Sequence, residues 1–287
     1  MGEDAVTVLI DNESSRVDLQ SEHGLSLWLQ LGDTRVLMDT GSSGLFLENA
    51  RRLAIPAERT ELLVVSHGHW DHTGGVPALL ACGARPRVAL HSTAMTPRRA
   101  LAPGKPIRDI GVAWPAELLD EAGIVAVDSD KPHRLFPFVW TTGTIPDREG
   151  LAIPPELQRL QDDGSWETDH FVDEQALVLE TVRGLVVVSG CSHRGLLNIL
   201  AAARAVTGTE TVYAVIGGLH LKDASPGYCR ELAETLRPMA ISHLWVNHCT
   251  GRDAFEVLRE ELGKAVEWAG SGFRCPLPSL GRYTRGS

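Results

Sequence analysis

Between Ser66 and Gly75 the chain reads SHGHWDHTGG. Three imidazoles and a carboxylate, His67, His69, Asp71 and His72, are crowded into this turn. Neutral imidazole nitrogens and carboxylate oxygens are the donors that zinc, manganese and iron take from proteins. In a turn, alternate residues converge on one point. His67 and His69 can therefore grip one ion while Asp71 and His72, on the next turn, face a second. Gly68, Gly74 and Gly75 remove side-chain bulk where the backbone must bend tightly. A solvated histidine-rich loop is the competing explanation. It is the weaker one, because the apolar run LLVV precedes the cluster and the helix-like GGVPALLA closes it, as a site at a strand end requires.

Such a site needs a frame. Short runs rich in Val, Ile and Leu recur along the whole chain: AVTVLI, LSLWLQL, RVLMDT, LLVVSH, RVALH, ALVLETV, LVVVSG, VYAVIGG and HLWVNH. Each stops at a turn-forming or polar residue, which is how strands read. Helix-like segments lie between the later ones, among them RGLLNILAAARAV, YCRELAETLRPM and DAFEVLREELGKA. In the last, Phe255, Leu258 and Leu262 recur at helical spacing with charges between, so they belong to a core. Strands paired first and then alternating with helices predict two sheets with helices outside. The polar stretch 145–174, rich in Pro, Gly and Asp, reads as a lid or as a surface insertion.

The bulk properties narrow the function. With 27 basic and 37 acidic residues the formal net charge is −10. A diffuse basic face for nucleic acid is therefore not expected. No segment is apolar enough to span a bilayer, and the acidic start MGEDAVTVLIDNESS lacks the features of a signal peptide. A cytoplasmic protein is expected, with a small-molecule substrate and a homo-oligomer open. Five widely spaced cysteines do not make a disulfide framework, so reduced thiols are expected.

SHGHWDHTGG, together with LMDTGSS before it, VVVSGCSH in mid-chain and VNHCTG near the end, resembles the signature of the metallo-β-lactamase-fold superfamily. IDN, EHGLS, GCSH followed by LLNI, VIGGLHL and HCTG, in that order, are similar to the branch of 7,8-dihydropterin-6-methyl-4-(β-D-ribofuranosyl)aminobenzene-5′-phosphate synthase-like proteins, many of them described only as metal-dependent hydrolases. The resemblance implies an α/β fold, a four-layer αββα sandwich spanning residues 1–287 as a single domain. It also implies a dinuclear metal site at one edge of the β core, with a metal-bridging hydroxide as nucleophile. Zinc is the expected ion, with manganese or iron as alternatives.

Carried over residue by residue, the resemblance makes His67, His69, Asp71 and His72 ligands and gives Asp71 a catalytic role. His248 matches the last superfamily histidine. The histidine usually found after a Thr-Pro-Gly-like turn is missing, since TTGTIPD offers Thr144 there. Cys191 occupies the place of the usual bridging aspartate, as a thiolate ligand or a buried thiol. His193 and His220 are the two candidates to complete the first shell, with His193 favoured; the other would hold substrate. Cys249 is read as a supporting residue beside His248. Asp39, at the end of a strand-like run, can accept a hydrogen bond from a ligand imidazole. Asn12, Glu22 and His23 are candidates near the mouth, and Asp173 and Glu174 can close the pocket. The expected activity is metal-dependent hydrolysis of a small, anionic ester, lactone or phosphoester. Alternatives are a pterin-related condensing or transferase activity and a non-catalytic metal or ligand sensor.

Overall fold

The computed structural model describes residues 3–102, 104–124, 126–148 and 154–283. Two seven-stranded sheets form its centre. The first runs in the order Arg274–Pro276, Ala5–Ile10, Ser26–Leu31, Thr34–Met38, Leu62–Val64, Arg87–Leu90, Ala126–Asp128. The second runs Val266–Trp268, His243–Asn247, Val212–Gly218, Gly184–Val188, Leu177–Thr181, Val139–Thr141, His133–Phe136.

Alternation along the strands dictates the layering, because successive side chains of a strand point to opposite faces. Leu27, Leu29, Val36, Met38, Leu62 and Val64 of the first sheet meet Val186, Val188, Ala214 and Ile216 of the second in one inner core. The intervening Trp28, Leu37 and Leu63 face outward and pack with Phe46 and Leu79 from helices Leu45–Arg52 and Val76–Ala81. On the far side Leu185, Val187 and Val215 pack with helices Leu196–Thr207, Pro226–Leu236 and Arg252–Leu262. Phe255 and Leu258 are buried in that outer layer and Leu262 packs against it. The result is a four-layer αββα sandwich.

Strand direction places the chemistry. Thr34–Met38, Leu62–Val64, Arg87–Leu90 and Ala126–Asp128 are mutually parallel. So are Gly184–Val188, Val212–Gly218, His243–Asn247 and Val266–Trp268. In open parallel sheets, sites form beyond the carboxyl ends of the strands. Asp39 directly follows one such strand, His248 directly follows another, and the 65–72 turn, Cys191, His193 and His220 follow three more.

Within the 145–174 stretch, residues 149–153 lie outside the described residues. Beyond them, Leu157–Leu160 and Trp166–Thr168 form a hairpin that pairs with Arg98–Ala100, which in turn pairs with Arg108–Asp109. The stretch is thus a hairpin of a small third sheet. No helix among the described residues is long and apolar enough to cross a membrane.

Candidate metal centre

The turn after Leu62–Val64 and the turn after Gly184–Val188 face each other across the two sheets. They bring donor atoms of His67, His69 and His193 within 4.8 Å of one another. All three histidines are buried, and the Nε2 atom of each has no hydrogen-bond partner. A buried polar nitrogen without a partner is costly, and three at one point need a common acceptor of their lone pairs. Burial pulls His69 down to about 3 and His67 and His193 well below the ordinary imidazole range. These rings are therefore neutral, the protonation state a metal ligand requires.

A second group adjoins the first. His72 Nε2 stands 3.1 Å from Cys191 Sγ and 3.2 Å from His248 Nε2, and Asp71 Oδ2 stands 3.4 Å from His248 Nε2. Burial works against a charge on Asp71, but His72, His23 and His248 outweigh it and hold the carboxyl well below its usual range. The outward nitrogens of these rings are tied down. His72 Nδ1 lies 2.6 Å from Asp39 Oδ2, and His248 Nδ1 lies 2.9 Å from Asn12 Oδ1. Asp39 also accepts the Ser66 N–H and hydroxyl at 2.7 and 2.6 Å, and Ser66 Oγ is 2.9 Å from His67 Nδ1. Such outer contacts fix tautomer and ring orientation. Burial depresses His72, yet the carboxylates of Asp39 and Asp71 overcome it and take the ring up to about 9, so as a ligand His72 would have to give up a proton to the incoming ion.

His220 lies on the other flank, grouped with Cys191 and His193, its ring centroid 4.1 Å from that of His193. The group that gathers with His67 and His69 contains His193 and not His220. Cys249 Sγ accepts the His220 N–H at 3.3 Å and sits 3.4 Å from the Cys191 carbonyl, and Cys191, His248 and Cys249 form a further donor group. Thr144 is engaged elsewhere, 2.8 Å from His91 Nε2. All described cysteines are free thiols.

The other sequence candidates divide by position. His23 is at the mouth, 55% exposed, with Nε2 3.1 Å from Asp71 Oδ2. Glu22 instead accepts the Ser42 and Ser43 N–H groups at 3.1 Å and the Ser43 hydroxyl at 2.6 Å, ahead of helix Leu45–Arg52. Both Glu22 oxygens are thus engaged in bracing the loop that leads into this helix. Asp173 does not line the mouth. It is fully buried, accepts the Gly68 N–H at 2.8 Å and pairs with Arg98 at 2.8 Å. Glu174, also fully buried, accepts the N–H groups of His193 and Arg194 at 2.7 and 2.6 Å, and burial pushes it up to about 7.

Sequence reasoning missed Arg98, Asp169 and Phe171. Arg98 is 1% exposed and its Nε is 2.8 Å from Asp169 Oδ2. The Phe171 ring stacks on His193 with centroids 3.8 Å apart and planes 1° from parallel. Backbone strain concentrates here. Asp39, Phe171, Ser192, His220 and His248 all hold left-handed φ values, of 60°, 49°, 61°, 50° and 49°. Non-glycine residues stay in that region only where their surroundings over-determine it.

A cavity of about 490 Å³ opens beside His193 and His220. Phe171, Leu196, Leu219, Leu221 and Tyr228 contribute to its walls, and its charged lining residues among those described are Asp223 and Glu231.

Comparisons with known proteins bear on the family and the fold. A family model described as the metallo-beta-lactamase superfamily matches residues 22–127. The chain is 30% identical over 269 residues to the 7,8-dihydropterin-6-methyl-4-(beta-D-ribofuranosyl)-aminobenzene-5'-phosphate synthase of Methanocaldococcus jannaschii, with 86% of this chain and 87% of that protein covered. The chain belongs to the metallo-β-lactamase superfamily. Among solved superfamily structures, Tm1679, described as a metal-dependent hydrolase of the beta-lactamase superfamily, matches with a TM-score of 0.83 at 28% identity, over 96% of this chain and 99% of that one. A diphosphatase from the PhnP family shares the fold, with a TM-score of 0.54 at 12% identity over 96% and 99% of the two chains. Superfamily membership implies divalent metal binding and, at that level, metal-dependent hydrolysis. The three partnerless Nε2 atoms and the neutral rings that carry them fit such ions.

Proposed function

We propose that the chain is a hydrolase using two divalent ions, zinc foremost; His67, His69 and His193 would hold one and Asp71, His72 and His248 the other, with the Cys191 thiol within reach as a further donor. The convergence of three buried, partnerless Nε2 atoms carries this reading. A pair of such ions supplies a Lewis acid for a carbonyl or phosphoryl oxygen and a water acidic enough to attack at neutral pH. The chain's own residues do the rest. Asp39 and Asn12 keep the His72 and His248 rings turned inward. Asp71 Oδ2, next to the exposed His23 ring, is placed to take a proton from the attacking water and pass it towards solvent. Phe171 and the leucines beside His193 give the cavity on that flank an apolar wall for the body of a substrate.

The cavity supports a small organic ester, lactone or phosphoester. Its carboxylates, with no lysine or arginine among the described lining residues, favour an uncharged or cationic body. Any anionic character then belongs to the group that reacts. Identity to a named synthase over most of both chains supports a second reading, condensation of a pterin-type substrate. Metal-replete protein assayed on p-nitrophenyl phosphodiesters, lactones and thioesters separates the two. Turnover with water alone as co-substrate is expected. Turnover only when a second organic substrate is added would replace hydrolysis with the synthase reading, and protein that takes up no Zn²⁺ or Mn²⁺ would remove both.

A further inference from the structure

We propose that Asp173, Glu174 and Gln175 are positioning residues that register the His67–His69 turn against the His193 turn; this rests on the metal-centre reading above. Three consecutive residues reach two turns. Asp173 Oδ2 accepts the N–H of Gly68, the residue between the two histidines, at 2.8 Å. Glu174 Oε1 and Oε2 accept the N–H groups of His193 and Arg194 at 2.7 and 2.6 Å. Gln175 donates its own N–H to the Ser66 carbonyl at 2.9 Å and its Nε2 to the Val65 carbonyl at 2.8 Å. The first and third contacts hold a turn of the first sheet, and the second holds a turn of the second sheet.

The clamp is stiff. All three residues are fully buried. Arg98 backs it through ion pairs to Asp173 and Asp169, both at 2.8 Å. Asp169 Oδ1 accepts the N–H of Phe171 at 2.8 Å, and the Phe171 ring lies flat on His193. The Gly68 turn has no slack on its other side, because a Cβ there would fall 1.8 Å from the Ala94 carbonyl oxygen. Burying carboxylates is expensive, and apolar side chains would fill the same space more cheaply. What an apolar residue cannot do is accept two adjacent N–H groups and fix their carrier to a fraction of an ångström. Metal–ligand distances tolerate only about 0.2 Å, so a donor set split between two sheets needs such a gauge.

The test is Co²⁺ titration of the metal-free full-length chain, read by affinity and by the visible ligand-field spectrum, with melting of the metal-free protein in parallel. In Glu174→Gln an amide NH₂ must oppose one of the two N–H donors. Affinity for the first Co²⁺ is expected to fall about 10–100-fold, with a changed spectrum. Asp173→Ala is expected to behave similarly. Asp173→Asn keeps an oxygen where Oδ2 stands, so it should retain the wild-type affinity and spectrum while melting earlier, Arg98 having lost a counter-charge. Unchanged Co²⁺ affinity and spectrum in both Glu174→Gln and Asp173→Ala, even with lowered melting temperatures, would overturn the proposal and leave these residues a merely structural role. Should Glu174→Gln not fold, the contrast between Asp173→Ala and Asp173→Asn decides by the same criteria. A wild-type chain that binds no Co²⁺ overturns the metal-centre reading and this proposal with it. Wild-type binding with unaffected variants overturns this proposal alone.

Discussion

Replacing Asp39 by Asn isolates the part played by the residues behind the donors. Asp39 is fully buried and its Oδ2 is shared between His72 Nδ1 and Ser66 Oγ, both at 2.6 Å, while Oδ1 takes the Ser66 N–H at 2.7 Å. Its φ of 60° is one that asparagine tolerates better than most residues, so the substitution adds little backbone strain. Asparagine offers one oxygen where aspartate offered two. With its NH₂ at the Oδ2 position, His72 must take the tautomer that is protonated on Nε2, the nitrogen 3.1 Å from Cys191 Sγ, and can no longer ligate. With its NH₂ at the Oδ1 position, the buried Ser66 N–H loses its acceptor at a cost of about 1–3 kcal/mol. In the first arrangement Zn²⁺ affinity is expected to drop about 10–100-fold, equivalent to about 1.4–2.8 kcal/mol; in the second His72 keeps its acceptor and the loss falls on the stability of the metal-free fold. Competition against a chromophoric chelator, starting from metal-free protein, measures this directly. Wild-type Zn²⁺ affinity together with unchanged stability of the metal-free protein in Asp39→Asn would refute the reasoning, because neither the imidazole nor the Ser66 N–H would then need its oxygen.

Further predictions concern single side chains. His193→Ala should lose one equivalent of metal in elemental analysis while His220→Ala keeps both, since only His193 shares a donor group with His67 and His69. Cys191→Ser in the Co²⁺-loaded protein should lose the sulfur-to-cobalt charge-transfer absorption; persistence of that band would transfer the thiolate role to Cys249. Gly68→Ala should destabilise the fold by about 1–3 kcal/mol or more in denaturant titration, because its Cβ would collide with the Ala94 carbonyl and the Arg98 guanidinium.

How much of this was legible in the sequence follows from how local each feature is. The 66–75 cluster carries four donors in one turn, so type and spacing suffice to propose a metal site. His193, His220 and His248 could be picked out because each ends an apolar run, but choosing between His193 and His220 depends on which strand end faces the other sheet. Helix Leu45–Arg52 is not legible, because eight residues with apolar side chains bunched at its start show no helical repeat. The hairpin in 145–174 did have a signal, the QDDGS turn around Gly164 with its φ of 83°. The burial of Arg98, Asp169 and Glu174 had none. The partners that bury them lie as far as 71 and 75 residues away for Arg98 and 19 for Glu174, and a charged residue in a polar stretch reads as solvated until such a distant partner is found.

The donors come from both sheets, and this has a thermodynamic consequence. His67, His69, Asp71 and His72 follow a strand of the first sheet, whereas Cys191, His193 and His248 follow strands of the second. An ion held by both groups is in effect a reversible crosslink between two halves of the polypeptide that meet late in the chain. The unfolded chain offers only the short cluster, so the native state binds far more tightly. Ligand linkage then adds about 4 kcal/mol to unfolding when free ion exceeds its dissociation constant a thousandfold. Metal supply would thus set the cohesion of the sandwich as well as the chemistry at its edge, and a chelator should loosen the sheet–sheet seam before it disturbs either outer helical layer.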